Sequence, residues 1–376
     1  MMSGEDMCPN KDKNRVTSKG SRVFVCQVVP QAQLKEFDCS QAGNNFCLAL
    51  IEGVHFDRVI SLIPCQVKPD IRRECRGEPY EAIQCRWLKQ NAFFRPFNML
   101  IENLQCILKC RKATAIWFYN VTPHNLLAVM ILRYLMQRRV YVLFADLSEQ
   151  WAMFRECAWM VRHSSGVLSL SSRVNFEHTN LLAVPGIVKP TKSRPKPPSA
   201  GSRIFMFSGS FNGYTGLKMA LEVFAELPEV TLLVSGNGDS ASVEDYAARY
   251  PNIRYLGYLP FDEYLKVLDE VAVGVSFRDP GYEENCNNFP SKILDYLNRR
   301  KAVISTLHYP ELDGIKYFES AYDKEAIKDM VRQIIAMPDP EFRIYCSQDE
   351  AVQKRFGYVQ WNNAVGAVEG NAGHVR

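Results

Sequence analysis

In the second half of the chain lies Asn287-Asn288-Phe289-Pro290-Ser291-Lys292-Ile293-Leu294-Asp295-Tyr296, where a proline precedes a run with helical spacing. Proline suits the first turn of a helix, because the N–H it lacks would have no partner there. The N–H groups of Ser291 and Lys292 then point out of the helix N-terminus, where the macrodipole favours an anion, and Lys292 adds a full positive charge. Asp295 falls one turn later on the face of Ser291, suited to hold two ribose hydroxyls. A diphosphate on the amides with a ribose on the carboxylate is the footprint of a nucleoside diphosphate. An ordinary capped helix would carry the same letters.

Two other stretches place small residues after an apolar run and before a helical one. Ser208-Gly209-Ser210 predicts a turn whose backbone amides can approach a phosphate. Ser235-Gly236-Asn237-Gly238-Asp239 resembles half of a dinucleotide fingerprint but lacks the G-x-G-x-x-G spacing, so it reads as a tight turn. The 12 cysteines form no C-x-x-C pair, and Cys26, Cys47, Cys106 and Cys157 sit in apolar stretches as small buried thiols do. That usage predicts a reducing cytosol and no metal cluster.

Short apolar runs alternating with helical patterns must position these groups. RVFVCQVVP (22–30), FDRVISLIP (56–64), TAIWFYN (114–120), RVYVLFADL (139–147), SGVLSLSS (165–172) and TNLLAVPG (179–186) read as strands of a first unit. RIFMFSGS (203–210), VTLLVSGNGD (230–239), NIRYLGYLP (252–260), VAVGVSF (271–277) and AVIST (302–306) read as strands of a second. Continuous apolar strands between helices indicate parallel sheets covered on both faces. PGIVKPTKSRPKPPSA (185–200) has five prolines and few large apolar residues, so it predicts a semi-rigid linker. The expected division is a disordered tail at 1–20, a first domain at 21–185, a Pro-rich linker at 186–200, a second domain at 201–345 and a helical segment at 346–376. Two doubly wound α/β domains result. Ligands in such sheets bind beyond the carboxyl ends of the strands.

The chain has 376 residues, is 47% hydrophobic and 23% charged, and contains no apolar run of 18 residues. Those proportions exclude fibrous and disordered classes and predict a soluble chain that is not secreted. Net charge is unevenly spread. Residues 1–195 carry 26 Lys+Arg against 16 Asp+Glu, a net of +10, and residues 196–376 carry 19 against 25, a net of −6. A basic half suggests an anionic partner: a membrane surface, a phosphorylated acceptor or nucleic acid. Cys85-Arg86-Trp87-Leu88-Lys89-Gln90-Asn91-Ala92-Phe93-Phe94-Arg95 interleaves aromatics with cations, as a segment docking on an anionic membrane does. The same letters fit aromatics packed inward. No nucleic-acid motif accompanies the charge, so no nucleic-acid partner is expected. Leu126–Leu132 is too short to span a bilayer and reads as a buried crossover helix.

The ordered series FSGSFNGYTGLKMALEVFAELPEVTLLVSGNGD, NIRYLGYLPFDEYLKVLDEVAVGVSF and NNFPSKILDYLNRRKAVIST, over about residues 203–306, resembles the nucleotide-sugar domain of GT-B glycosyltransferases. It is most similar to glycosyltransferase family 4 enzymes of bacterial surface-polysaccharide assembly. The first half is similar only in layout. The resemblance implies two Rossmann-like domains facing a cleft, and sugar transfer from a nucleotide-diphosphate donor to a saccharide acceptor, lipid-linked, with retention at the anomeric carbon. It implies no cofactor and no divalent metal, and a place in the cytoplasm, peripheral on the inner membrane face. The family's paired glutamates, seven residues apart, align with Asn287 and Asp295. Asp295 keeps the ribose carboxylate, Asn287 departs from the first glutamate, and Glu283 or Glu284 is near enough in sequence to substitute. The basic residues that the family places after its first glycine turn are Ser210 and Thr215 here, which leaves Lys292 as the replacement cation. Tyr258, in Leu256-Gly257-Tyr258, is then placed to stack on the base.

In the first half, Gly43 and Asn44 fall where the family has its acceptor-side glycine loop. His124 and Asp146 each follow a strand and are candidates to orient the acceptor hydroxyl, Asp146 being preferred. Backbone amides of Gly209, Ser210, Ser291 and Lys292 would stabilise the departing diphosphate. Two other classes fit the letters: a non-catalytic nucleotide-binding subunit, favoured by Asn287, Ser210 and Thr215, or a nucleotide-sugar epimerase. A dehydrogenase would need a dinucleotide fingerprint after the first strand, and VVPQAQLKEF has none.

Overall fold

The structure is a computed structural model, and it describes residues 21–34, 37, 39–63, 75, 77–84, 93–145, 152–172, 174, 176–190, 195–199, 201–282, 285 and 289–371. The first unit runs β1 (Arg22–Cys26), α1 (Gln41–Gly53), β2 (Arg58–Leu62), β3 (Glu81–Ile83), α2 (Arg95–Cys110) and β4 (Ala115–Tyr119). It continues with α3 (Leu126–Met130, extended by a π-helical turn Ile131–Leu135), β5 (Arg139–Phe144), α4 (Phe154–Arg162), β6 (Gly166–Ser169) and β7 (Leu181–Ala183). These strands form a seven-stranded sheet in the order β3-β2-β1-β4-β5-β6-β7, every neighbouring pair parallel.

The second unit runs β8 (Ile204–Phe211), α5 (Leu217–Ala225), β9 (Thr231–Gly238), α6 (Ala241–Arg249), β10 (Ile253–Tyr255), α7 (Phe261–Glu270) and β11 (Val273–Ser276). After it come α8 (Ser291–Asn298), β12 (Ala302–Ser305), β13 (Phe318–Glu319), α9 (Lys324–Ala336), α10 (Asp339–Cys346), α11 (Asp349–Phe356) and α12 (Tyr358–Asn371). The second sheet is six-stranded and parallel, in the order β10-β9-β8-β11-β12-β13. Both sheets therefore turn back in strand order beside their first strand, at β1/β4 and at β8/β11. Such a reversal opens a crevice at the carboxyl ends of the strands.

The strands sort alternate side chains to opposite faces, as a period of two requires. Phe24 and Cys26 of β1, Trp117 of β4 and Tyr141 of β5 join one core, while Val23, Val25, Ile116, Phe118 and Val142 join the other. In the second sheet Phe205, Phe207, Val273, Val275 and Ile304 pack on one side, and Met206 and Val303 on the other. This is the two-domain, doubly wound α/β architecture expected from the alternation. Cys26, Cys47, Cys106 and Cys157 are buried free thiols.

One expectation fails in detail. Ser208-Gly209-Ser210 and Ser235-Gly236-Asn237-Gly238 are not turns, because β8 and β9 continue through them in register, from Ser208 against Ser235 to Phe211 against Gly238. Ladder hydrogen bonding overrides the low strand preference of glycine and serine there. The real turn is Asn212–Gly216, just beyond.

The chain crosses between the domains twice. Val184 packs in the first domain's core and Val188 in the second's, so the start of the Pro-rich segment is anchored at both ends. The N–H of Val188 donates to the Phe356 carbonyl at 3.0 Å, beside the second crossing. Helix α12 then returns to the first domain. Trp361 is fully buried against Phe46, with Nε1 donating to the Gly186 carbonyl at 2.9 Å. Glu369 receives Arg22 through both oxygens, at 2.8 and 2.6 Å, and Trp117 Nε1 at 2.7 Å. Ser172 of the first domain donates to Glu311 of the second at 2.5 Å, a direct link across the interface.

Candidate functional site

The crevice between β8 and β11 is built from three loops and one helix. Gly216 closes the β8–α5 loop with φ of +79°, and a Cβ on it would lie 1.4 Å from the Phe277 carbonyl oxygen. Only glycine allows that loop to approach the end of β11 so closely. Asn285, fully buried, ties the two loops together: its Nδ2 donates to the Tyr214 carbonyl at 2.7 Å and the Asp279 carbonyl at 2.9 Å, while its Oδ1 accepts from Arg278 at 3.2 Å. Across the crevice, Ser235 Oγ and the Gly236 N–H both donate to the Gly257 carbonyl, at 3.0 and 3.2 Å. That fixes the loop carrying Tyr258.

Helix α8 points its N-terminus into this crevice. It begins at Ser291, with Pro290 at the N-cap rather than inside the first turn, and no side chain caps it. The first N–H groups of an α-helix lack intrahelical acceptors, so those of Ser291 and Lys292 are available to an anion. Lys292 Nζ donates to Asp295 Oδ2 at 3.0 Å and lies 4.2 Å from the centre of the Tyr264 ring. The cation and the carboxylate singled out from sequence thus face each other, both partly exposed. Tyr258 belongs to the same cluster: burial raises its hydroxyl above the usual range, and the nearby Lys292 charge pulls it back.

Beneath them lies a hydroxyl network that the sequence analysis missed. Ser208 Oγ lies 2.7 Å from the Tyr296 hydroxyl and 3.5 Å from that of Tyr264, and the Tyr296 hydroxyl donates to the Met206 carbonyl at 3.3 Å. Both tyrosines are buried, and burial pushes both hydroxyls well above the ordinary value, so they stay neutral. Tyr296 fits because Gly274 of β11 has no side chain; a Cβ there would lie 2.1 Å from the ring. In sequence these tyrosines read as ordinary helix-face residues.

Gly209 and Ser210 lie on the same strand as Ser208, towards its end. Space beside Gly209 is open, since a Cβ would meet nothing within 4 Å, and Ser210 is exposed. Thr215, by contrast, turns its hydroxyl inward to the carbonyls of Ser210 and Asn212, both 2.9 Å away. Arg278 is a second cation at this crevice that the sequence analysis overlooked. Burial lowers its pKa from the usual value, and the Thr306 hydroxyl fixes its backbone by donating to its carbonyl at 2.7 Å. Its only sequence signal is its place directly after a strand.

On the first domain the candidate residues lie in different settings. Gly43 lies in the first turn of α1, capped by Ser40, and a Cβ on it would stand 3.5 Å from the Tyr119 hydroxyl at the end of β4. It therefore borders the β1/β4 crevice, in a helix rather than a glycine loop. Asn44 is buried and committed to the backbone: Oδ1 accepts from the Val29 N–H at 2.8 Å and Nδ2 donates to its carbonyl at 3.1 Å. It holds the loop after β1 and does not line a cleft.

His124 is buried beneath α2, with Glu102 Oε2 3.5 Å from Nε2 and its carbonyl accepting from Asn103 Nδ2 at 2.7 Å. Burial, with Arg95 adding in the same direction, pushes it down to about 4. His124 is a neutral packing residue and not one that faces an acceptor, because the loop after β4 folds back onto α2. Asp146, Glu284 and Asn287 lie outside the described residues, as do 85–92 of the aromatic–basic stretch and the tail 1–20. Among the described residues, no group of three or more His, Cys, Asp or Glu is placed to hold a metal ion. Among them also, no helix is long and apolar enough to cross a membrane.

No family model matches the chain, and no curated protein sequence matches it. Its likeness to solved structures is extensive. HepE from Anabaena, in complex with UDP and glucose, matches with a TM-score of 0.63 at 13% identity, over 93% of this chain and 100% of that one. Sucrose-phosphate synthase from Thermosynechococcus elongatus matches with a TM-score of 0.66 at 14% identity, over 95% of this chain and 100% of that one. A glycosyltransferase from Rickettsia africae matches with a TM-score of 0.60 at 11% identity, over 94% of this chain and 97% of that one. The likeness, spanning both domains, shows the fold: two Rossmann-like domains of the GT-B kind.

Proposed function

We propose that the chain is a glycosyltransferase of the family 4 type, moving a sugar from a nucleoside-diphosphate donor to a saccharide acceptor, lipid-linked, in polysaccharide assembly. The observation that carries this is the cluster at the β8/β11 crevice: Lys292 and Asp295 on the first turns of α8, beside Tyr258 and above the Ser208–Tyr264–Tyr296 network. A solved protein of the same fold, HepE, holds UDP-glucose. In this reading the N–H groups of Ser291 and Lys292, with that of Ser210 on β8, face the diphosphate, whereas the Gly209 N–H points the other way, into the ladder with β9. Lys292 contributes charge, Asp295 takes the ribose hydroxyls and Tyr258 stacks on the base.

Departure of the nucleoside diphosphate leaves negative charge on its terminal phosphate. Amides and a cation already aimed at that position stabilise it without reorganising. Arg278 is the second cation assigned to this role, and the acceptor hydroxyl would enter from the Gly43–Tyr119 side of the cleft, attacking on the face the leaving group vacates, with retention. Metal ions play no part in this scheme.

The test is thermal unfolding with UDP, GDP, ADP, TDP and NAD, each with EDTA present. A ligand at about 100 times its Kd stabilises the fold by about 2.7 kcal/mol. Selective stabilisation by one nucleoside diphosphate supports the reading, and consumption of the matching nucleotide sugar only when a saccharide is added completes it. Stabilisation by NAD alone, or conversion of a nucleotide sugar without an acceptor, overturns it.

A further inference from the structure

Among the described residues, the ammonium of Lys292 is held from two sides. It lies 4.2 Å from the centre of the Tyr264 ring and donates to Asp295 Oδ2 at 3.0 Å. The two partners act on its charge differently. A carboxylate neutralises a lysine, whereas the negative face of an aromatic ring attracts it and leaves the charge in place. When Asp295 turns to ribose hydroxyls, the ring is the partner of the two that stays. A lysine without such a seat carries much rotamer freedom, which contact with a phosphate must then freeze.

Tyr264 is itself fixed from below. It lies one turn into α7, 4% exposed, in one core with Leu268, Ile293 and Leu297. Its hydroxyl is 3.5 Å from Ser208 Oγ, which lies 2.7 Å from the Tyr296 hydroxyl. That hydroxyl is tied in turn to the Met206 carbonyl at 3.3 Å. Gly274 of β11 leaves the slot that the Tyr296 ring fills. Strands β8 and β11 and helices α7 and α8 therefore converge on the position of one ring. Burial keeps both phenols neutral, so neither offers Lys292 a phenolate that would compete with a phosphate.

We propose that Tyr264 is a positioning residue for the diphosphate: its ring, locked by Ser208 and Tyr296, seats Lys292 Nζ so that Asp295 can leave for the ribose without the cation losing its place. The inference rests on the nucleotide-sugar reading and adds to it a role for a buried residue that touches no substrate. Tyr264 acts only through Lys292. A tyrosine that merely filled the core would affect nucleoside and nucleotide alike, and would do so whether or not Lys292 were present.

The test is titration calorimetry of the full chain with the nucleoside diphosphate that stabilises it and with the corresponding nucleoside. The proteins are wild type, Tyr264→Phe, Tyr264→Leu, Lys292→Ala and the Tyr264→Leu/Lys292→Ala double variant, each first shown to unfold cooperatively. Tyr264→Met, whose flexible side chain refills the site, takes the place of Tyr264→Leu if the leucine variant does not fold. Tyr264→Phe keeps the ring and should bind the diphosphate within about twofold of wild type. Tyr264→Leu should weaken the diphosphate roughly 3–10-fold, the cost of ordering an unseated lysine, and leave the nucleoside within about twofold. In the Lys292→Ala background the same substitution should change the Kd by less than about twofold, because the coupled partner is gone. Absence of diphosphate binding by wild type, or an unchanged Kd in Lys292→Ala, overturns the nucleotide reading and this inference with it. Where wild type binds and Lys292→Ala weakens binding, three results overturn the inference alone. These are an unchanged Kd in Tyr264→Leu, an equal loss for the nucleoside, and the same loss with and without Lys292.

Discussion

Replacing Lys292 by alanine tests the nucleotide site most directly. In the structure its ammonium donates to Asp295 at 3.0 Å and lies 4.2 Å from the Tyr264 ring centre. Both partners of the ion pair are about one-third exposed, so the pair itself is worth about 0.2–1 kcal/mol. The contact with the ring adds about 0.5–1 kcal/mol. A charge-assisted contact to a diphosphate is worth about 1.5–3 kcal/mol. Lysine has three donors, so phosphate contact need not displace Asp295 entirely. Subtracting about 1 kcal/mol for a weakened pair leaves about 0.5–2 kcal/mol, or roughly 2–30-fold in Kd. Lys292→Ala should therefore weaken the preferred nucleoside diphosphate by that factor in titration calorimetry, while stability falls by about 2 kcal/mol or less. Lys292→Arg should restore part of the loss, and binding of the matching nucleoside, which has no phosphates, should barely change. A Kd within twofold of wild type, or an equal loss for the nucleoside, would refute the assignment.

Three further outcomes follow from the packing. Gly216→Ala forces a left-handed residue to carry a Cβ against the Phe277 carbonyl, so it should cost more than about 2 kcal/mol in denaturant unfolding and abolish the nucleotide-induced thermal shift. Trp361→Ala should destabilise by about 3–5 kcal/mol in the same assay, whereas Val359→Ala, 76% exposed on the same helix, should stay within about 0.5 kcal/mol. For His124 the folded value of about 4 lies below the unfolded value near 6.5, so the unfolded chain binds more protons between them. Stability should fall as pH drops from about 6.5 to 4, by up to about 3 kcal/mol from this group, and His124→Gln should flatten that part of the stability–pH curve.

The alternation of strands and helices was legible because buried parallel strands read as short apolar runs, and the runs 22–30, 114–120 and 271–277 hold the shorter strands Arg22–Cys26, Ala115–Tyr119 and Val273–Ser276. The segment from Pro290 to Asp295 was legible because capping and charge are local. Less local facts were hidden. Ser208 to Phe211 became strand through a partner 27 residues away in the chain, which no local propensity reveals. Asn44 and His124 carry polar groups that would suit a ligand, yet their partners are Val29 and the underside of α2. The leucines of α2 have ordinary helical spacing, and spacing alone does not say which face turns outward. Leu126–Leu132 also divides, with Leu126, Val129 and Leu132 buried while Leu127 and Met130 are exposed.

Return of α12 to the first sheet sets the order in which the molecule can be completed as it is made. Trp361, Ala364, Val365 and Val368 belong to the same core as Phe24 and Trp117, so the domain that emerges first from the ribosome lacks part of its interior until the final helix appears. The cores of the second domain draw only on residues 188–356 and can close earlier. The domain made before the other is completed after it, leaving an apolar face on the nascent first domain that a holdase would recognise for the time taken to make some 170 further residues.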